Sequence, residues 1–145
     1  MKKKVIWSAV ILLVIVGAVY SASHTTLEKQ ISKNLGTAKG YRIVSVEKME
    51  ADKEPVAHDI SEKNSAYQAV LKDVKGAALR YVKSETGMEI TEPLYTMTIA
   101  AGGETMTCTV NSENQIHINQ TEVTYVITSP TDLYNLLKKV YDANK

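Results

Sequence analysis

Apolar residues crowd into one block near the N-terminus and then recur in short alternating runs along the rest of the chain. Residues 5–22 read VIWSAVILLVIVGAVYSA, without a charge, and follow Lys2, Lys3 and Lys4. A core helix would show polar positions at a period of 3.6, and this run shows no such pattern. At 1.5 Å per residue it spans about 27 Å, close to the hydrocarbon thickness of a bilayer. The positive-inside rule keeps the three lysines cytoplasmic and sends residues 24–145 outward. Trp7 and Tyr20 stand where interfacial aromatics sit. A cleaved signal peptide is the competing reading. Ser21-Ala22-Ser23 offers small residues at the spacing a signal peptidase needs, although the apolar stretch exceeds a usual h-region. No cysteine directly follows the block, which excludes a bacterial lipoprotein. Both readings place the remainder outside the cytoplasm.

Beyond the block, the periodicity changes segment by segment. Thr25 and Glu28 form a T-x-x-E capping box, and Leu27, Ile31 and Leu35 recur every four residues up to Gly36. This short helix is either a stalk continuing the membrane segment or a brace on the domain; it is too short to specify a coiled coil. Residues 41–48, YRIVSVEK, alternate as a strand, and residues 49–63 turn charged around Pro55 and read as a loop. A helix is expected over about 61–75, with Tyr67, Val70, Leu71 and Val74 on one face and Gly76 as its stop. Residues 78–84 suggest another strand.

The clearest pattern lies in residues 93–111, where Gly102-Gly103 separates two alternating runs as a two-residue hairpin turn. With those glycines as the loop, Ala101 faces Glu104, Ile99 faces Met106, Met97 faces Cys108 and Tyr95 faces Val110. The apolar residues then share one face, and Thr96, Thr98, Thr105, Thr107 and Thr109 line the other. Two more strands follow, one with Ile116 and Ile118 inward and the next with Val123, Tyr125 and Ile127 inward. A final helix is expected from Ser129 as cap, with Pro130 in the first turn and Asp132 near the positive end of the dipole. Leu133, Leu136, Leu137 and Val140 form its buried face.

These elements predict an α+β fold. A membrane anchor or signal peptide (1–23) leads through a juxtamembrane helix and linker (24–40) to one domain (41–145). The order in that domain is β-α-β-β-β-β-β-α, an antiparallel sheet with helices on one face. All sixteen acidic residues but only fourteen of the seventeen basic ones lie after residue 23, so the remainder is net negative by two charges. That is no electrostatic footprint for nucleic acid or anionic lipid. Cys108 is the one cysteine, which rules out an intrachain disulfide and a cysteine-based zinc cage.

Candidate chemistry is sparse. Cys108 and His117 are the one thiol–imidazole pair, but the register turns Cys108 inward and His117 outward, as a buried thiol and a surface imidazole. Opposite faces of a sheet cannot form a nucleophile–base dyad. Glu50, Asp52 and Glu54, with His58-Asp59 and Glu62 nearby, could present oxygens to Ca²⁺. They lack the glycine and the bidentate terminal Glu of an EF-hand and are interspersed with lysines, so a solvated loop is the better reading. Gly102-Gly103 lacks the lysine of a phosphate loop, and Asn119-Gln120-Thr121 reads as a turn. No catalytic, cofactor-binding or metal-binding residue is expected. The threonine face is the candidate interaction surface, a flat hydroxyl array suited to a glycan or another strand, although Thr also simply favours solvated strands.

The leader MKKKVIW with its apolar block, a single domain, and the ending TDLYNLLKKVYDANK resemble a group of small Gram-positive envelope proteins. These are the YhfM-like and related domains of unknown function. The likeness covers about residues 41–145 and rests on architecture and on Leu133, Tyr134, Leu137 and Tyr141. It implies a Gram-positive envelope and carries over no functional residues. The expectation is a membrane-tethered, non-enzymatic envelope module that binds a protein or wall component. The alternative is an accessory subunit or inhibitor of a membrane complex, and a small secreted hydrolase ranks behind both.

Overall fold

A computed structural model describes residues 2–36 and 40–144. Residues 2–23 form one helix, α1 (Lys2–Ser23), in which the uncharged run 5–22 follows the three lysines without a break. Its window Ile6–Ser23 has a mean hydropathy of 2.1, and none of it is buried against the rest of the protein. By length and composition it can cross a membrane. The chain then enters a three-residue strand, β1 (His24–Thr26), with no linker between.

The remaining described elements are α2 (Leu27–Leu35), β2 (Arg42–Met49), β3 (Val56–Asp59), α3 (Ser65–Gly76), β4 (Ala78–Ser84), β5 (Leu94–Ala101), β6 (Glu104–Val110), β7 (Gln115–Ile118), β8 (Val123–Ile127) and α4 (Leu133–Ala143). The strands form one sheet in the order β1-β4-β8-β7-β6-β5-β2-β3, with every neighbouring pair antiparallel. The fold is α+β, with an N-terminal helix apolar enough to span a bilayer. At its centre the β5–β6 hairpin has the register expected from sequence, Ala101 opposite Glu104, Met97 opposite Cys108 and Tyr95 opposite Val110. Gly102 (φ 59°) and Gly103 (φ 90°) both take the left-handed backbone that such a tight turn demands.

That register gives the sheet one apolar face, carrying Ile43, Val46, Tyr95, Met97, Ile99, Met106, Cys108, Val110, Ile116, Ile118 and Ile127, all buried. Three helices cover it and share one core with it. From α4 come Leu133, Leu137, Val140 and Tyr141, and from α3 Tyr67, Val70 and Val74. The third is α2, whose Leu27 and Ile31 are fully buried. Of the two expectations for this segment, the brace is the one the fold adopts. Because β1 pairs with β4 and α2 packs in the core, the folded unit begins at His24 and not at residue 41. Residues 37–39 of the expected linker lie outside the described residues.

Several local expectations differ from the structure for identifiable reasons. The cap of α2 is Thr26, whose hydroxyl accepts from Lys29 N, because β1 runs through Thr26 and the helix starts only at Leu27; Thr25 accepts instead from Gln30 Nε2. The expected loop 49–63 contains β3, a four-residue edge strand that shows no buried apolar row because Val56, Ala57 and Asp59 are exposed. Gly76 is the last residue of α3 and Ala77 its cap. Ser129 does not start α4; its hydroxyl accepts from Ala78 N, 3.0 Å away, and the helix begins at Leu133 after Asp132. Long-range contacts outbid the local signals at both caps.

Core membership of α2 and α4 is testable by truncation. Ile31→Ala and Leu137→Ala should each cost about 2–5 kcal/mol, from lost transfer energy plus the cavity left behind. Lys138→Ala, on the exposed side of α4, should change stability by no more than about 0.5 kcal/mol. Urea melts of residues 24–145 provide the comparison. A small effect at Ile31 would show that α2 is a stalk after all.

Candidate functional site

The face of the sheet opposite the helices carries the polar residues, and its shape follows from topology. Strands β4 and β5 run in the same direction with β8, β7 and β6 between them. The chain must therefore return across the sheet, and the helices occupy the other face. Residues 85–93 make this crossing. They are tied down at three places. Near β4, Glu85 N donates to Glu122 O at 2.9 Å. In the middle, Gly87 N donates to His117 Nε2 at 3.3 Å. Near β5, Glu92 accepts from Ser112 N at 2.8 Å and from its hydroxyl at 2.6 Å, which holds the Glu92 carboxyl below its usual pKa.

Beneath the crossing lies a second, small buried layer separate from the main core. Leu94 is 1 % exposed there, although it points away from the helices. With it are Thr96, Thr109, Thr124 and His117, all buried. The Thr96 and Thr109 hydroxyls bond to each other at 2.8 Å. The His117 ring is held from both sides. Because the Gly87 N–H needs a lone pair on Nε2, the ring proton sits on Nδ1 and is donated to Thr124 Oγ1 at 3.0 Å. Thr124 Oγ1 in turn donates to Glu85 Oε1 at 3.4 Å. Burial pushes the His117 pKa down, and the carboxylates of Glu85 and Glu122 offset only part of that.

Two sequence expectations for this face are corrected. His117 points outward as its register requires, opposite Thr109 and Thr124, yet it is no surface imidazole. The five outward threonines do not form a flat hydroxyl array either. Thr96 and Thr109 are sealed under residues 85–93, and Thr107 accepts from Asn119 Nδ2 at 2.7 Å. Only Thr105 is exposed, with Thr98 half-buried beside it. Alternation tells which side of a sheet a residue faces, not whether a distant segment covers that side.

The chemistry available is correspondingly limited. Cys108 is fully buried on the helix side, opposite Met97 and Ile118, and burial pushes its thiol up to about 12. It cannot meet His117 through the sheet, and both ring nitrogens of His117 are already engaged. Glu50, in the acidic loop, is bound by Lys48 at 3.0 Å and Lys53 at 3.1 Å, and those bonds lower its pKa. His58 packs edge-on against Tyr141 with ring centroids 4.7 Å apart. Among the described residues, no three His, Cys, Asp or Glu side chains stand close enough to share a metal ion. Two shallow grooves flank the crossing. One of about 350 Å³ is lined by Met49, Met88, Ile90, Thr109 and His117; the other, of about 440 Å³, is lined by Glu85, Glu89, Glu92 and Glu113 with Lys83. Comparison with family models, with curated proteins and with solved structures finds no match to this chain.

The buried thiol should resist a thiol reagent in native buffer and react only as the domain unfolds, because a group with a pKa of about 12 and no exposed surface is neither ionised nor reachable. Fast labelling of the native protein would mean a different register in β6.

Burial of His117 predicts a distinct pH window. Its folded pKa lies below the ordinary 6.5, so the unfolded chain takes up the proton first as pH falls. The stability it contributes is complete above about 6.5 and declines as pH drops below that value. Glu50 and Glu92, whose pKa values are lowered, lose their contributions only below their ordinary 4.5. Urea midpoints measured from neutral pH to about pH 5 should therefore fall, and His117→Asn should flatten that fall. A wild-type midpoint that does not move in this range would contradict the clamped neutral ring.

Proposed function

We propose that this chain is a membrane-tethered protein whose domain lies outside the cytoplasm and serves as a non-enzymatic binding module of the cell envelope. The observation that carries this reading is the solvent-exposed, uncharged helix Ile6–Ser23, none of which is buried against the domain and which passes directly into β1. The three lysines before it favour a cytoplasmic N-terminus. A Gram-positive envelope is the setting that the resemblance to small anchored envelope domains suggests. The partner would be an envelope protein or wall component, meeting the open part of the outer sheet face around Thr98 and Thr105. The apolar stripe of α2 is spent on the core and is not offered to a partner.

The linkerless junction of α1 and β1 favours a second reading, an accessory subunit or inhibitor of a membrane complex. A membrane partner would then meet anchor and domain together.

Protease added to intact protoplasts should digest residues 24–145 and spare only the N-terminal fragment. An impermeant cross-linker applied to the same cells should capture a defined partner, and Thr98→Lys with Thr105→Lys should abolish the capture. A fully protected domain would overturn the orientation. Capture that survives the threonine changes would move the interface to the anchor.

A further inference from the structure

The domain has an exposed apolar corner at the point where α1 joins the sheet, and we propose that this corner, Tyr81 and Val82 of β4, rests in the headgroup layer of the bilayer that α1 enters. The inference rests on the reading of α1 as a membrane anchor and specifies how the domain sits on that membrane.

Register locates the corner. His24, the first residue of β1, pairs with Arg80, and β1 has no residue to pair with the rest of β4. Tyr81 and Val82 therefore overhang the junction by one and two residues, roughly 3–7 Å along the strand. Both are large and open to solvent, 46 % and 41 % exposed, whereas Leu79 two residues earlier is 1 % exposed. A bulge between Tyr81 and Lys83 takes Val82 out of the ladder with β8.

The junction holds its geometry. His24 Nδ1 lies 2.9 Å from both Tyr20 O and Ser23 Oγ, and the His24 ring stacks on that of Tyr20 with centroids 3.9 Å apart. The last turn of α1 and the first residue of β1 thus form one unit with no slack to lift the domain away. The apolar segment matches about 30 Å of hydrocarbon, so its end lies at the edge of the headgroup layer, which is itself roughly 5–8 Å deep. Tyr81 and Val82 fall within that depth. A phenol with an apolar ring and a polar tip suits it, as does the similar ring of Tyr20.

Charge does not drive the contact. Lys83 is engaged by Glu85 at 2.7 Å, and the exposed Arg80 beside Tyr81 is outnumbered by Glu89 and Glu122, which disfavour an anionic surface. The corner is suited to neutral, zwitterionic lipid.

Tryptophan fluorescence in the full chain, reconstituted into phosphatidylcholine vesicles with brominated acyl chains, tests the contact. Trp7 of the wild-type chain should be quenched, which reports insertion of α1 itself. In a Trp7→Phe background, Val82→Trp should show blue-shifted emission and lose most of it to the bromines. Lys75→Trp in the same background, in the last turn of α3 before the far end of β4, should emit as in water and lose almost none. If Trp7 is quenched while Val82→Trp behaves like Lys75→Trp, the anchor stands and the corner contact is wrong. If Trp7 escapes quenching, the anchor reading falls and takes the contact with it.

Discussion

Met97 opposite Cys108 and Ile99 opposite Met106 commit the hairpin strands β5 and β6 to one apolar face, and every other element is built on that commitment. Side chains alternate at each residue, so a slip of one position would turn the whole buried row toward water. The neighbours inherit the choice. Ile118 and Ile116 of β7 stand opposite Cys108 and Val110, and Val46 of β2 stands opposite Met97. Three amphipathic helices then find a continuous surface to cover, and the domain has one core without any disulfide to support it.

The same commitment shapes the other face. Once the helices occupy one side, the connection from β4 to β5 has to cross the opposite side. Its backbone needs partners there, since buried N–H groups without them are costly. His117 supplies one for Gly87, and Thr124 links that ring onward to Glu85. The imidazole is thus a clamp on a crossing segment. Its neutral form is the one that fits, and a role in proton transfer would break the bond that holds the segment down. What this face leaves open is the uncovered strip near the β5–β6 turn and the two grooves beside the crossing.

At the N-terminus, the apolar helix α1 and the domain meet without a linker, and β1 is both the first residue run outside α1 and the edge of the sheet. An anchored domain usually has some freedom to reorient when flexible chain intervenes. Here the stack of Tyr20 on His24 and the pairing of His24 with Arg80 transmit the direction of the helix to the sheet. The sheet, with its uncovered strip, is then held at a set angle to α1.

The elements governed by short-range rules were legible in the residues alone. The uncharged run 5–22 specifies a helix able to span a bilayer, because no other backbone form satisfies its own hydrogen bonds in lipid. Gly102-Gly103 between alternating runs specifies a hairpin down to its register, because turn chemistry and side-chain alternation agree. The buried position of Cys108 follows from that register. Tertiary structure decided the rest. Strand β3 is a short edge strand without a buried apolar row and looked like a loop, and Thr25 is not the cap because β1 runs on through Thr26 before the helix starts. Thr96, Thr109 and His117 face outward as their spacing requires, yet they are buried because a segment from elsewhere in the chain lies over them. Periodicity records the two sides of a strand within a few residues. What covers each side is set by contacts between segments many residues apart, and no local pattern carries that information.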